Sequence, residues 1–133
     1  MKFEHAAFNV ADPAGQSAWY VAHMGMTIIR HAGGPNDIHF VGEPDGRFVF
    51  ELYRDARAAV PDYGAISIWA MHIAFVSGDL EGDRDALVAA GGKAEGGTPN
   101  GSVIVLPSGD STAFVRDPWG LTIQLIKRLK PLI

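Results

Sequence analysis

"HAAFNVAD", residues 5–12, returns as "HIAFVSGD", residues 72–79. His5, Ala7, Phe8 and Asp12 have counterparts in His72, Ala74, Phe75 and Asp79, all at one offset. A chain of 133 residues that writes one phrase near its start and again past its middle reads as a duplication, with a histidine in the same place in each copy.

The repeat extends outward from the octet. "FEHAAFNV" (3–10) predicts a strand. Asp12 then supplies an N-cap and Pro13 suits the first helical position. The helix runs through "AGQSAWYVAHM" (14–24), and Gly25 can close it in the left-handed conformation. "MTIIRH", "DIHFVG" and "RFVFELYR" predict three further strands, the last two joined by "EPDG" (43–46), whose Pro and Gly suit a type I turn. The second half follows suit. "MHIAFVS" (71–77) is a strand, and "LEGDRDALVAAGG" (80–92) is a helix stopped at Gly91. "KAEGG" is a looser strand, while "STAFVRD" and "LTIQLIKR" flank the turn "DPWG" (117–120). The glycines of "GGKAEGG" (91–97) lack the Gly-Lys-Ser/Thr ending of a phosphate loop and read as turn residues. Module one therefore spans 1–53, an unrepeated linker 54–68, module two 69–128 and a tail 129–133, all within one domain. The expected class is α+β, two βαβββ modules forming a curled mixed sheet around a shared interior cleft.

Composition bounds the function. Eleven basic against fifteen acidic residues give a formal net charge of −4, which argues against nucleic acid or an anionic membrane as partner. The chain has no cysteine, which excludes both a disulfide framework and a thiolate metal site. Its hydrophobic fraction of 47% suffices for a packed interior, yet no apolar run approaches a membrane span. "MKFEHAAFNV" carries Glu4 and His5 where a signal peptide needs an unbroken apolar stretch. A cytoplasmic protein is the expectation.

Side chains alternate along a strand, so His5 shares a face with Phe3, Ala7 and Asn9, and His72 with Ala70, Ala74 and Val76. Glu51 shares a face with Val49 and Tyr53, and Gln124 with Thr122 and Ile126. Phe48, Phe50 and Leu52 then face the helices, which leaves Glu51 on the cleft side. A carboxylate between apolar neighbours, as in "VFELY", is costly to bury unless it is partnered. One divalent ion (zinc, nickel, manganese, cobalt or iron) would partner it. Two imidazoles, one carboxylate and one amide oxygen make an N/O ligand set that leaves positions for water or substrate. The candidate metal ligands are thus His5, Glu51, His72 and Gln124. A single strand histidine is more often packed than ligating, but two related by a repeat shift that balance. His23, His31 and His39 have no repeat partner and read as surface or loop residues. Trp19 reads as helix–sheet core. Asn9, Trp69 and Trp119 are candidate substrate contacts along the cleft.

This pattern resembles the vicinal-oxygen-chelate superfamily of glyoxalases, bleomycin-resistance proteins and extradiol dioxygenases. The landmarks are "FEHAAFNVADPAGQSAWYVAHMGMTIIR", "FVFELY", "MHIAFVSGD" and "FVRDPWGLTIQLI", which cover nearly the whole chain. The nearest likeness is to bacterial metal-dependent glyoxalase I. That resemblance implies ligands at His5, Glu51, His72 and the position of Gln124, where those enzymes carry a second glutamate that also moves a proton. A glutamine oxygen can bind metal but takes no proton near neutral pH. The resemblance therefore implies Glu51 as both ligand and general base. Glutathione-using relatives place an arginine where this chain has Asn9 and an asparagine where it has Asp55, so glutathione is not the expected substrate carrier, although Arg30 or Arg54 could replace the missing cation. The reactions implied are a metal-dependent lyase or isomerase moving a proton next to a carbonyl, a dioxygenase using His5, His72 and Glu51, or metal-free sequestration of a drug. A homodimer binding a small-molecule substrate is expected.

Overall fold

The computed structural model describes residues 1–96 and 101–132. The chain divides into two compact units, Met1–Pro61 and Asp62–Ile133. Unit one holds β1 (Ala6–Asn9), α1 (Pro13–His23), β2 (Thr27–Gly33), β3 (Ile38–Gly42) and β4 (Val49–Tyr53). Its strands lie in the order β1-β4-β3-β2, with β1 parallel to β4 and the other pairs antiparallel. Among the described residues, unit two holds a 3-10 turn (Tyr63–Ala65), β5 (Ile73–Val76), α2 (Leu80–Ala89), β6 (Lys93–Glu95), β7 (Ile104–Val105), β8 (Ser111–Arg116) and β9 (Thr122–Lys127). Its order is β5-β9-β8-β6, again with the first pair parallel. The fold is α+β, with a mixed sheet and one helix in each unit.

The duplication is preserved strand for strand apart from one edge. In unit one that edge is the continuous β2, although its register shifts at two bulges against β3. In unit two it is broken in two, for β6 pairs with residues 114–116 of β8 and β7 with residues 111–112. Gly97 of "GGKAEGG" and Ile133 of the tail lie outside the described residues.

Both helices start by the same device. The Asp12 carboxylate accepts from the Gly15 amide at 2.9 Å, and the Asp79 carboxylate from the Gly82 amide at 3.0 Å. A Cβ on Gly15 would stand 2.1 Å from Asp12 Oδ2, and one on Gly82 would stand 2.4 Å from Asp79 Oδ2. Glycine three residues after each cap is therefore part of the cap. In α2, Glu81 and Asp83 add negative charge at the positive end of the helix dipole. The anticipated turns form at "EPDG" and "DPWG", where the Gly46 amide donates to the Glu43 carbonyl and the Gly120 amide to the Asp117 carbonyl. Gly120, at φ 95, also meets the 3-10 turn so closely that a Cβ would stand 2.6 Å from the Gly64 nitrogen.

Each sheet presents one face to its helix. Val10, Tyr20, Val41, Phe50 and Leu52 are buried in unit one, and Leu87, Val115, Ile123 and Leu125 in unit two. Burying such side chains stabilises each unit by roughly 1.5–3 kcal/mol apiece. Trp19 is buried in α1, as expected. Phe48 departs from expectation: it precedes β4, is 37% exposed and stacks on Phe3 instead of packing beneath a helix. No helix among the described residues is long and apolar enough to cross a membrane.

Candidate metal and substrate site

Strand register aligns one row of side chains across each sheet, on the face away from the helix. In unit one the row is Ala7, Glu51, Phe40 and Arg30. In unit two it is Ala74, Gln124, Phe114 and Glu95. Each histidine sits just ahead of the first strand and meets the row's phenylalanine edge-on. His5 and Phe40 stand 5.6 Å apart with rings at 78°, and His72 and Phe114 stand 5.7 Å apart at 79°. The two units thus build the same local device from unlike neighbours. Sequence reasoning missed both phenylalanines, although counting register back from each hairpin turn would have found them.

In unit one His5 Nε2 stands 3.2 Å from Glu51 Oε2, with both side chains largely but not wholly covered. The other ring nitrogen, Nδ1, contacts the Glu4 carboxylate. A neutral ring that donates Nδ1–H to Glu4 turns its Nε2 lone pair onto a second carboxylate. Two electron-rich atoms at that distance need a proton or a cation between them. Two ligands of one ion held at about 2.1 Å stand roughly 3.0–3.4 Å apart, so the pair has the spacing a divalent ion needs. In unit two His72 Nδ1 lies 2.8 Å from the Ile68 carbonyl oxygen. It must donate there, which leaves the Nε2 lone pair of a neutral ring available to a metal. The residues present therefore fit a divalent cation.

An open hollow on the same face of unit one is lined by Glu4, His5, Ile29, Arg30, Phe40 and Val49. Arg54 donates instead to the Ala11 carbonyl at 3.1 Å.

The candidate substrate contacts fall in three different settings. Asn9 is buried, and its amide donates to the carbonyls of Asp55 and Ala58 while its oxygen accepts from the Asp55 amide. Trp69, 64% exposed, packs edge-on against Phe114 at 5.4 Å, beside His72. Trp119 is half-buried in the 117–120 turn, its amide donating to Asp117 Oδ1, and lies outside the row. Asp55 also accepts from the Arg57 guanidinium and backbone and from Asn36, and these bonds, the Arg57 side chain first, hold its carboxyl down at about 2.

Arg116 was not anticipated. Buried in β8, it donates to the carbonyls of Tyr63, Ile66 and Gly120, to Thr122 Oγ1 and to Glu95. It pins the 3-10 turn and the hairpin turn to the end of β8, and leaving those groups unpaired would cost more than about 3 kcal/mol.

Of the two histidines read as surface or loop residues, His31 is indeed exposed, whereas His39 departs from that reading. Both lie on strands, paired across β2 and β3, and the His39 side chain is only 12% exposed. Their rings stack at 4.1 Å, and both Nε2 atoms face Asp37 Oδ1, at 3.1 and 3.0 Å.

Comparison with solved structures gives many matches. A glyoxalase family protein from Enterococcus faecalis is 22% identical, with 95% of this chain and 97% of that one aligned and a TM-score of 0.69. A glyoxalase family protein from Bacillus cereus is 16% identical, with 98% and 95% aligned and a TM-score of 0.72. A mutant of glyoxalase I from Zea mays is 24% identical, with 97% of this chain but 46% of that one aligned and a TM-score of 0.73, so this chain spans about half of the maize enzyme. At these identities the likeness is one of fold. No curated protein matches. A family model described as Glyoxalase/Bleomycin resistance protein/Dioxygenase superfamily matches residues 2–125. Nearly the whole chain falls within that match, and the protein belongs to the glyoxalase, bleomycin-resistance and dioxygenase superfamily.

Proposed function

We propose that this protein is a metal-dependent lyase or isomerase of the glyoxalase type, which moves a proton next to a carbonyl on a small oxygenated substrate. The ligands would be His5, Glu51, His72 and Gln124. The observation that carries the reading is the His5 Nε2–Glu51 Oε2 spacing of 3.2 Å, set between Glu4 and Phe40 on the open face of unit one. A divalent ion bound there would polarise the substrate's oxygens and lower the cost of negative charge developing on them.

The chain's own residues do the rest. Glu51 removes the proton from the carbon next to the carbonyl and returns it to the neighbouring carbon, because Gln124 has no basic atom for either step. Phe40 and Phe114 hold His5 and His72 edge-on and limit their rotation. Arg30, in Glu51's row and two strands away, or roughly 10 Å, stands where it can pair with an anionic group at the substrate's far end. With Asn9 and Asp55 bonded to one another, the cation that glutathione would need at position 9 is missing. The substrate is thus a small molecule bearing one anionic group, and the protein acts in the cytoplasm as a homodimer.

The test is proton exchange. Untagged protein, loaded in turn with zinc, nickel, manganese or cobalt, is incubated in D2O with small 2-oxoaldehyde adducts and 2-hydroxycarbonyl acids. Deuterium should enter at the carbon next to the carbonyl. Glu51→Gln should abolish that exchange while binding the metal more weakly. Exchange undiminished in the variant would refute Glu51 as the base, and oxygen uptake with a catechol would move the protein to the dioxygenases.

A further inference from the structure

We infer that His31, Asp37 and His39 form a second divalent-metal site, on the face of unit one opposite the His5–Glu51 pair. Its ligand would be a zinc-like transition-metal ion, taken by two imidazoles and one carboxylate with water completing the shell. This second site does not depend on the proposed reaction.

Local geometry makes the cluster. Asp37 closes the turn that joins β2 to β3 and has φ 46, a left-handed conformation that aspartate tolerates better than most residues. That conformation returns its carboxylate over the cross-strand pair His31 and His39. One ligand atom from each of the three residues lies within 4.8 Å of the others. The two nitrogen–oxygen separations, 3.1 and 3.0 Å, equal the edge between neighbouring ligands on an ion held at about 2.1 Å. A two-histidine, one-carboxylate set is characteristic of zinc and of iron(II), nickel and cobalt, and not of the all-oxygen shells of calcium or magnesium.

The rings are near-parallel, 22° apart, and each Nε2 donates to Asp37 Oδ1, so an ion must replace those protons and the two ring planes do not yet converge on one centre. One ring must turn on binding. His31 is the one with room, its side chain being 53% exposed against 12% for His39. His39 and Asp37 form the fixed part and His31 closes over the ion.

Alternation along the strands separates this site from the first. His39 and Phe40 point to opposite faces, as do His31 and Arg30. Phe40 and Arg30 line the hollow beside His5, so an ion at the cluster would brace the two strands that supply the hollow's wall.

The experiment uses the untagged full-length chain, with histidine ring resonances assigned by long-range proton–nitrogen spectra, titrated with zinc. A His5→Ala background removes the first site. We expect the Nε2 signals of His31 and His39 to shift together, complete at one equivalent of zinc in the His5→Ala background and by two equivalents in wild type. Asp37→Asn should abolish the shift while leaving the backbone amide spectrum unchanged elsewhere. In wild type, rings of His31 and His39 that keep their zinc-free signals in excess zinc overturn the proposal, whatever happens at His5. Zinc binding at those rings in Asp37→Asn, undiminished from the parent, would overturn it equally.

Discussion

Asn9 and Asp55 hold each other by two hydrogen bonds, the Asn9 amide donating to the Asp55 carbonyl at 3.1 Å and the Asp55 amide donating to the Asn9 carbonyl at 2.9 Å. A third bond runs from Asn9 to the Ala58 carbonyl at 3.0 Å. Together they tie the end of β1 to the segment that leaves β4. Removing the side chain takes the partner from one part-buried backbone donor and two part-buried acceptors. We expect Asn9→Ala to lose about 2 kcal/mol in urea unfolding. A change in KM with unaltered stability would instead mark Asn9 as a substrate contact.

Asp55 also sets an acid limit. Its folded pKa of about 2 lies below the ordinary 3.8, because Arg57 and Asn36 bond the ionised form. Between those values the unfolded chain binds more protons than the folded one, so stability rises with pH. The contribution is complete above about pH 5 and drains away as pH falls from about 4 toward 2. Thermal unfolding of Asp55→Asn and wild type should therefore differ at pH 6 and converge near pH 2. Parallel curves across that range would contradict the assignment.

The paired caps give a test that runs against helix propensity. Ala for Gly within a helix ordinarily gains nearly 1 kcal/mol. At Gly15 and Gly82 the new Cβ would displace the capping carboxylates of Asp12 and Asp79, whose loss costs about 1 kcal/mol. We expect Gly15→Ala and Gly82→Ala to be neutral or destabilising in chemical unfolding. Stabilisation by the full propensity gain at either position would show that the cap survives.

Why some of this was legible in the sequence and some was not follows from how each feature is encoded. The caps, turns and duplicated strands are local, written within a few residues, and Asp12, Asp79, "EPDG" and "DPWG" announced them. His5 and His72 were marked by repetition. Phe40 and Phe114 depend on hairpin register, a longer count, and they carry no motif. His31, Asp37 and His39 were obscured because Asp37's left-handed backbone brings a turn residue over a strand pair, which alternation alone does not foresee. Arg116 stands just before "DPWG" and carries no motif. Its five acceptors include carbonyls from some fifty residues earlier, so only the folded chain reveals them.

Arg30 supplies the test of substrate class. It lies in Glu51's row and lines the hollow beside His5, whereas Arg54 is held by the Ala11 carbonyl. A guanidinium paired with a substrate carboxylate contributes roughly 1.5–3 kcal/mol when partly screened from water. If Arg30 binds substrate and transition state equally, its loss raises KM and leaves kcat nearly unchanged. We expect Arg30→Met to raise KM about tenfold or more for an anionic substrate. A neutral analogue of the same substrate should be almost unaffected, because Arg30 is exposed at the end of the row and contributes little to the fold. Raised salt should weaken binding of the anionic substrate to wild type and have little effect on the variant. Equal losses for both substrates would instead assign Arg30 to shaping the hollow.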